Sequence, residues 1–186
     1  APVKVWGFDG EAYYRVFGRQ LAELWRNAIA MLEGFQLDER CCFGSAADAT
    51  KCSRASNLIA HAIKRELRAF DKAHPTRDPA ILEWLRERQQ AASESGCSAA
   101  EAEERFLALH ACSIYIDDAT GASINDLLFD SEGMPVMRDG RQLRRAQLHF
   151  ETAIRVLESF GHTSSKDKEQ PPSDKVVFGR FQQPVQ

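Results

Sequence analysis

Ile114-Tyr115-Ile116-Asp117-Asp118-Ala119-Thr120-Gly121 is the stretch on which the fold of this chain turns. Alternating β-branched and aromatic residues through Ile114, Tyr115 and Ile116 predict a strand. The strand ends in two adjacent carboxylates, Asp117 and Asp118. Neighbouring like charges make each other harder to ionise, so a fold gains nothing in stability by pairing them there. A divalent cation removes that cost, and Mg²⁺ takes hard oxygen ligands of this kind. The sharp reading is a metal site on a β-hairpin turn. The plain reading is an Asp-Asp turn, and these few residues alone favour the plain reading slightly.

A second strand delivers a carboxylate in the same way. Val3-Lys4-Val5-Trp6-Gly7-Phe8 alternates as a strand and ends at Asp9. Asp9 also suits a helix N-cap, because Tyr13 to Phe17 reads as a short helix. Residues 20–43 fit either a helix, through Leu21, Leu24, Trp25, Ile29 and Leu32, or a hairpin across Glu33-Gly34. Periodicity does not arbitrate so short a piece.

Phe43-Gly44-Ser45-Ala46-Ala47-Asp48-Ala49 reads as a small-residue loop, with Ser45 or Asp48 as the cap of the helix that follows. Ala55, Leu58, Ile59, Ala62, Ile63, Leu67 and Phe70 form that helix's apolar stripe, with His61 packed near it. A break at His74 to Pro79 precedes a helix over 80–92 with Ile81, Leu82 and Leu85 inward. Ser98 and Glu101 form a capping box for a helix running to about Leu109. His110 to Ile116 is then expected as the central strand.

Beyond the Asp pair, Ala122 to Phe129 reads as extended and Ser131 to Pro135 as a turn. Arg141 to Phe160 reads as a long helix, with Gly161 after its end. Arg138, Arg141, Arg144 and Arg145 gather at its start, as either a solvated face or a phosphate-contacting patch. Ser164 to Asp174 reads as a polar loop and Lys175 to Phe181 as a last strand.

The 186 residues suffice for one domain with a sizeable core. Hydrophobic residues at 44% and charged residues at 27% give an ordinary globular balance. The net charge of −3 gives no overall basic excess, so any nucleic-acid surface must be local. Five Cys (41, 42, 52, 97 and 112) without a C-x-x-C pair suggest reduced thiols and an intracellular protein. Zinc at His110 and Cys112 lacks a second ligand pair of suitable spacing. No apolar run approaches the roughly 18–20 residues of a membrane span. The opening Ala1-Pro2-Val3, without Met, is expected of a piece of something longer.

In order, these parts resemble the palm of a reverse transcriptase, most of all the enzymes of retrotransposons, including the tyrosine-recombinase-bearing kind. Asp9 with Tyr14-Arg15 is similar to the first palm motif. Phe43-Gly44-Ser45 with Ser53-Arg54 is similar to the second, and Tyr115-Ile116-Asp117-Asp118 to the third, Y-x-D-D. His149, Val156, Leu157, Gly161 and Lys168 resemble the fourth, and Val177-Phe178-Gly179 the fifth. Tyr13 stands where the first motif usually has Ala, and Asp48-Ala49 where the second usually has Pro.

The resemblance implies an α+β fold, a small antiparallel palm sheet with helices packed on one face. Residues 1–186 would form the palm domain, with a helical insertion at about 71–109 and the fingers and thumb largely absent. It implies RNA-directed DNA polymerisation, with Asp9, Asp117 and Asp118 holding two Mg²⁺ ions, for which Mn²⁺ could substitute. Tyr14 would be the gate against a ribose 2′-hydroxyl. Gly44 and Ser45 would approach the nucleotide and template, Tyr115 would belong to the substrate site, and Lys168 would act as general acid. The partners implied are an RNA or DNA template with its primer, and dNTPs, with no membrane. The alternative is a non-catalytic helical binding or assembly module, or a decayed retroelement fragment, in which Asp117-Asp118 is a plain turn.

Overall fold

The computed structural model of this chain describes residues 2–11, 28–31, 34–37, 46–178 and 181–184. The short helix expected at 13–17, with Tyr14, and the loop residues Phe43, Gly44 and Ser45 lie outside them, as does Gly179.

The chain is a mixed α+β protein. Strands β1 (Val3–Asp9), β2 (Ala28–Met31) and β3 (Gly34–Leu37) precede helices α1 (Ala46–Ala73), α2 (Pro79–Glu94) and the short α3 (Ala99–Ala102). Next come β4 (His110–Tyr115), β5 (Asp118–Ile124), β6 (Met137–Arg138), β7 (Arg141–Gln142) and helix α4 (Arg145–Ser159). Strands β8 (Gln170–Ser173), β9 (Lys175–Phe178) and β10 (Phe181–Pro184) close the described chain. The main sheet has the order β4-β5-β1-β8, with every neighbouring pair antiparallel. Three two-stranded pairs, β2-β3, β6-β7 and β9-β10, make up the other strands among the described residues.

One face of the sheet carries the core. Trp6 and Phe8 of β1, Cys112 of β4 and Ala119 of β5 meet Cys52, Ile59, Ile63 and Leu67 of α1 and Phe150, Ala153, Val156 and Leu157 of α4. Strand alternation sends Asp9, Tyr115 and Asp118 to the opposite face. The Trp6 ring lies edge-on to Phe150, with centroids 6.2 Å apart. Gly121 pairs with Trp6 in register. A Cβ at Gly121 would fall 2.1 Å from the Trp6 ring, so only glycine lets the indole lie flat across β5. Gly121→Ala is expected to destabilise the fold by at least about 1–3 kcal/mol, the usual penalty of overpacking, read as a lower urea midpoint.

Several sequence expectations are corrected. The strand expected as central, β4, is an edge strand, because β5 begins directly at Asp118 and β1 pairs on its far side. Asp48 and Ala49 lie inside α1 and not in a loop before it. The buried stripe of α1 runs through Cys52, Ser56, Ile59, Ile63 and Leu67, while Leu58 is 58% exposed. His61 is exposed and unpacked against the core. Within α2, Ile81 is buried and Leu82 is exposed.

The helix expected from Arg141 starts at Arg145, because Arg141 and Gln142 are drawn into the β6-β7 hairpin. Leu143 is therefore outside the helix, and the buried face of α4 is Ala146, His149, Phe150, Ala153, Val156 and Leu157. The polar stretch 164–174 contains strand β8, whose Pro171 and Pro172 suit an edge position that asks for few backbone donors.

Other expectations hold. Residues 28–31 and 34–37 pair antiparallel, as the hairpin alternative expects. Ser98 and Glu101 form the capping box. Gly161 ends α4 with φ +79°, its N–H donating to the Glu158 carbonyl at 2.9 Å. The region 71–109 is helical through the end of α1, α2, α3 and a π-helical turn at Glu103–Leu107.

Candidate metal centre

Two strand ends meet at one corner of the sheet face opposite the core. Asp9, the last residue of β1, pairs in register with Asp118, the first of β5. Tyr115 pairs with Asp118 across the hairpin, leaving Ile116-Asp117 as a two-residue loop. Like charges opposite each other across two strands are unfavourable, yet here a third carboxylate, Asp117, joins them. One ligand oxygen from each of Asp9, Asp117 and Asp118 lies within 4.8 Å of the others.

The loop geometry is unusual. Ile116 has φ +60°, a left-handed conformation that a β-branched residue rarely adopts. Asp117 is not among the positive-φ residues, so only the first loop position is left-handed, as in a type II′ turn. Glycine is the usual residue there, and holding isoleucine in it stores about 1–3 kcal/mol.

Distant chain completes the corner. The backbone of Gly10 bridges Ser164, and the Ser165 N–H donates to the Asp9 carbonyl at 2.9 Å. This hangs the turn Lys166–Lys168 beside β1. The Lys168 ammonium then donates to Asp9 Oδ2 at 2.6 Å. The Gly10 N–H donates to the Asp117 carbonyl at 2.9 Å, tying the hairpin loop to β1.

Partial burial pushes the Asp117 carboxyl above its ordinary range, and the charge of Asp9 adds to the rise. Burial and then the charges of Asp117 and Asp9 raise Asp118 likewise. The hydrogen bond and charge of Asp9 raise Lys168, which holds its proton firmly. The donor set fits hard divalent cations: three carboxylates against one ammonium leave an electrostatic deficit of the sign and size that Mg²⁺ would fill. Asp9, Asp117 and Asp118 are the residues that would hold it.

A second cluster, Asp71, His110 and His149, also brings ligand atoms within 4.8 Å. Here both Asp71 oxygens, His149 and His110 Nδ1 already have protein partners. Asp71 Oδ1 accepts from Arg145 at 2.7 Å and meets His149 Nε2 at 3.0 Å, while Oδ2 meets His110 Nδ1 at 2.9 Å. Arg145, fully buried, also donates to both carboxylate oxygens of Asp126 and to the His74 carbonyl. The Trp6 indole N–H donates to Ser123 Oγ at 3.0 Å, so the Ser123 hydroxyl proton is free to go to His149 Nδ1, also at 3.0 Å. A neutral His149 with its proton on Nε2, facing Asp71, satisfies both contacts. Burial lowers the His149 pKa, in keeping with a neutral ring. A cation here would sit against a guanidinium, so the cluster is a buried polar network.

Zinc at His110 and Cys112 fares no better. His110 is bound to Asp71, and burial pushes the Cys112 thiol up to about 12.

Tyr115 is 78% exposed beside the acids. Val177 lies in β9, in register with Gln182 of β10. The arginine patch divides: Arg145 is in the buried network, and Arg138 pairs bidentately with Glu151 at 2.7 and 2.9 Å. Arg144 donates to the Asn125 carbonyl, and Arg141 is exposed. Ser165, Ser56 and the Asp71 network carried no linear signal, because their roles arise only where distant elements touch.

No protein-family model matches this chain, and no curated protein matches it.

Proposed function

We propose that this chain is the palm of an RNA-directed DNA polymerase of the retrotransposon type, transferring dNTPs onto a primer 3′-hydroxyl. The observation that carries this reading is the meeting of Asp9 with Asp117 and Asp118 at one corner of the sheet, with Lys168 on Asp9. Bound at these carboxylates, two Mg²⁺ ions would supply Lewis acidity toward the primer hydroxyl and charge neutralisation on the triphosphate.

The chain's own residues do the rest. Asp9 and Asp117 orient the reacting groups through their carboxylates, and Asp118 supports them. The primer 3′-hydroxyl gives its proton to water as its oxygen bonds the α-phosphorus and the bond to pyrophosphate breaks, and Lys168 gives the departing pyrophosphate a proton. A cation held by Asp9 would draw its carboxylate from Lys168, remove the hydrogen bond that raises the ammonium's pKa and make Lys168 a better acid. Tyr115 lies against the primer terminus. Tyr14 gates the sugar, and Gly44 and Ser45 let the backbone approach the nucleotide.

Primer extension on oligo(rA)·oligo(dT) with dTTP tests this. Extension with Mg²⁺ that stops with EDTA is the expected result. Lys168→Leu is expected to lower kcat by about 10²–10⁴-fold with little change in the KM for dTTP. A folded chain that neither extends the primer nor binds Mn²⁺ through Asp117 would sink the reading.

A further inference from the structure

Ser56 is buried in the middle of α1, on the helix stripe that otherwise packs apolar side chains. A serine inside a helix ordinarily returns its hydroxyl to the carbonyl four residues back, and Ser56 Oγ is 2.7 Å from the Cys52 carbonyl. It is closer still, 2.6 Å, to the carbonyl of Ile116 on another element. Ile116 is the left-handed residue immediately before Asp117. Its side chain packs against the core, and the next carbonyl, that of Asp117, accepts from Gly10. Successive carbonyls of the strained loop are thus held from two sides, by α1 and by β1.

We propose that Ser56 is a positioning residue for the carboxylate cluster: its hydroxyl holds the Ile116 carbonyl and so keeps Asp117 turned toward Asp9. A left-handed isoleucine persists only where its surroundings over-determine it. Without the Ser56 bond, the loop has a cheaper conformation available, in which Ile116 returns to negative φ and the peptide before Asp117 rotates. Ser56 touches no ligand, so it acts on cation affinity only through the loop. The inference rests on the reading of the cluster as a metal centre, and its test separates the two.

Mn²⁺ affinity is measured by electron paramagnetic resonance for the wild type, Ser56→Ala, Ser56→Thr and Asp117→Asn, with urea unfolding to establish that each is folded. Outer partners of metal ligands are commonly worth about 10–100-fold in affinity. Ser56→Ala is expected to bind Mn²⁺ that much more weakly, and Ser56→Thr, which restores a hydroxyl, to stay near the wild type. Should the alanine variant not fold, Ser56→Cys, of similar size but a weaker donor, takes its place. Wild-type affinity in Ser56→Ala, or equal loss in the threonine variant, would overturn the proposal.

If Mn²⁺ binds the wild type and Asp117→Asn equally, the metal reading fails, and amide exchange in the metal-free protein decides the role of Ser56. Protection of the Gly10 amide, lost in the alanine variant and kept in the threonine one, supports it; protection unchanged in both overturns it.

Discussion

Asp117→Asn is expected to lower primer extension by about 10³-fold or more, while the metal-free variant melts at a higher temperature than the wild type at pH 7. A bound cation contributes several kcal/mol of transition-state charge stabilisation, and each 1.36 kcal/mol is about tenfold in rate. The gain in stability has the opposite origin. The folded-state pKa values of Asp117 and Asp118 are raised, so between their unfolded and folded values the native state binds more protons than the unfolded one. By linkage this makes stability fall as pH rises through the carboxylate range, and the deficit persists at neutral pH. Asparagine at position 117 removes one charge of the three and part of that deficit.

Scanning calorimetry in EDTA checks the rise. Adding Mn²⁺ should then raise the melting temperature of the wild type and leave the variant nearly still, since a ligand stabilises only the state that binds it. A variant less stable than the wild type in EDTA would mean that Asp117 serves the fold and not a metal.

Arg145→Met is expected to cost about 3–5 kcal/mol, the usual result of removing one partner from a buried ionic network. Arg145 is fully buried and meets Asp126 through two hydrogen bonds, Asp71 through one and the His74 carbonyl through another. Methionine fills the space but leaves two buried carboxylates with too few partners. Lysine would restore a charge but not the planar fork that spans both acids. Against a typical stability of about 5–15 kcal/mol the loss is large, and urea unfolding would show it as an early midpoint. An unchanged midpoint would refute this account of the core.

The same network sets the acid limb of stability. Burial works to raise the Asp71 carboxyl, but hydrogen bonds from His110 and His149 and the Arg145 charge outweigh it and hold Asp71 well below the usual range. Burial lowers His149. In both cases the unfolded chain binds more protons than the native one as pH falls, so stability is lost toward acid. The loss begins below about pH 6.5, where a free histidine charges, and resumes below about pH 3.9, where a free aspartate protonates. In Arg145→Met the second decline should shift toward higher pH.

Much of this architecture was legible in the chain. Alternation marked β1 and β4, and each led to the carboxylate at its end. The Ser98 capping box and the terminal Gly161 were read from local backbone demands, which neighbours in sequence satisfy. The start of α4 was not, because Arg141 and Gln142 suit a helix as well as the hairpin that claims them. Nor was the edge position of β4, since a strand's place in a sheet depends on which partners reach it.

The acids themselves are written in the sequence at positions 9, 117 and 118. Only the tertiary structure decided that they converge. That outcome depends on the antiparallel register of β1 on β5, on Ser165 and Lys168 returning from 156 and 159 residues away, and on Ser56 gripping the Ile116 carbonyl. Local sequence dictates backbone propensity and the period of burial. Contacts between distant segments are chosen by which packing buries the core while satisfying every polar group, a condition on the whole chain at once.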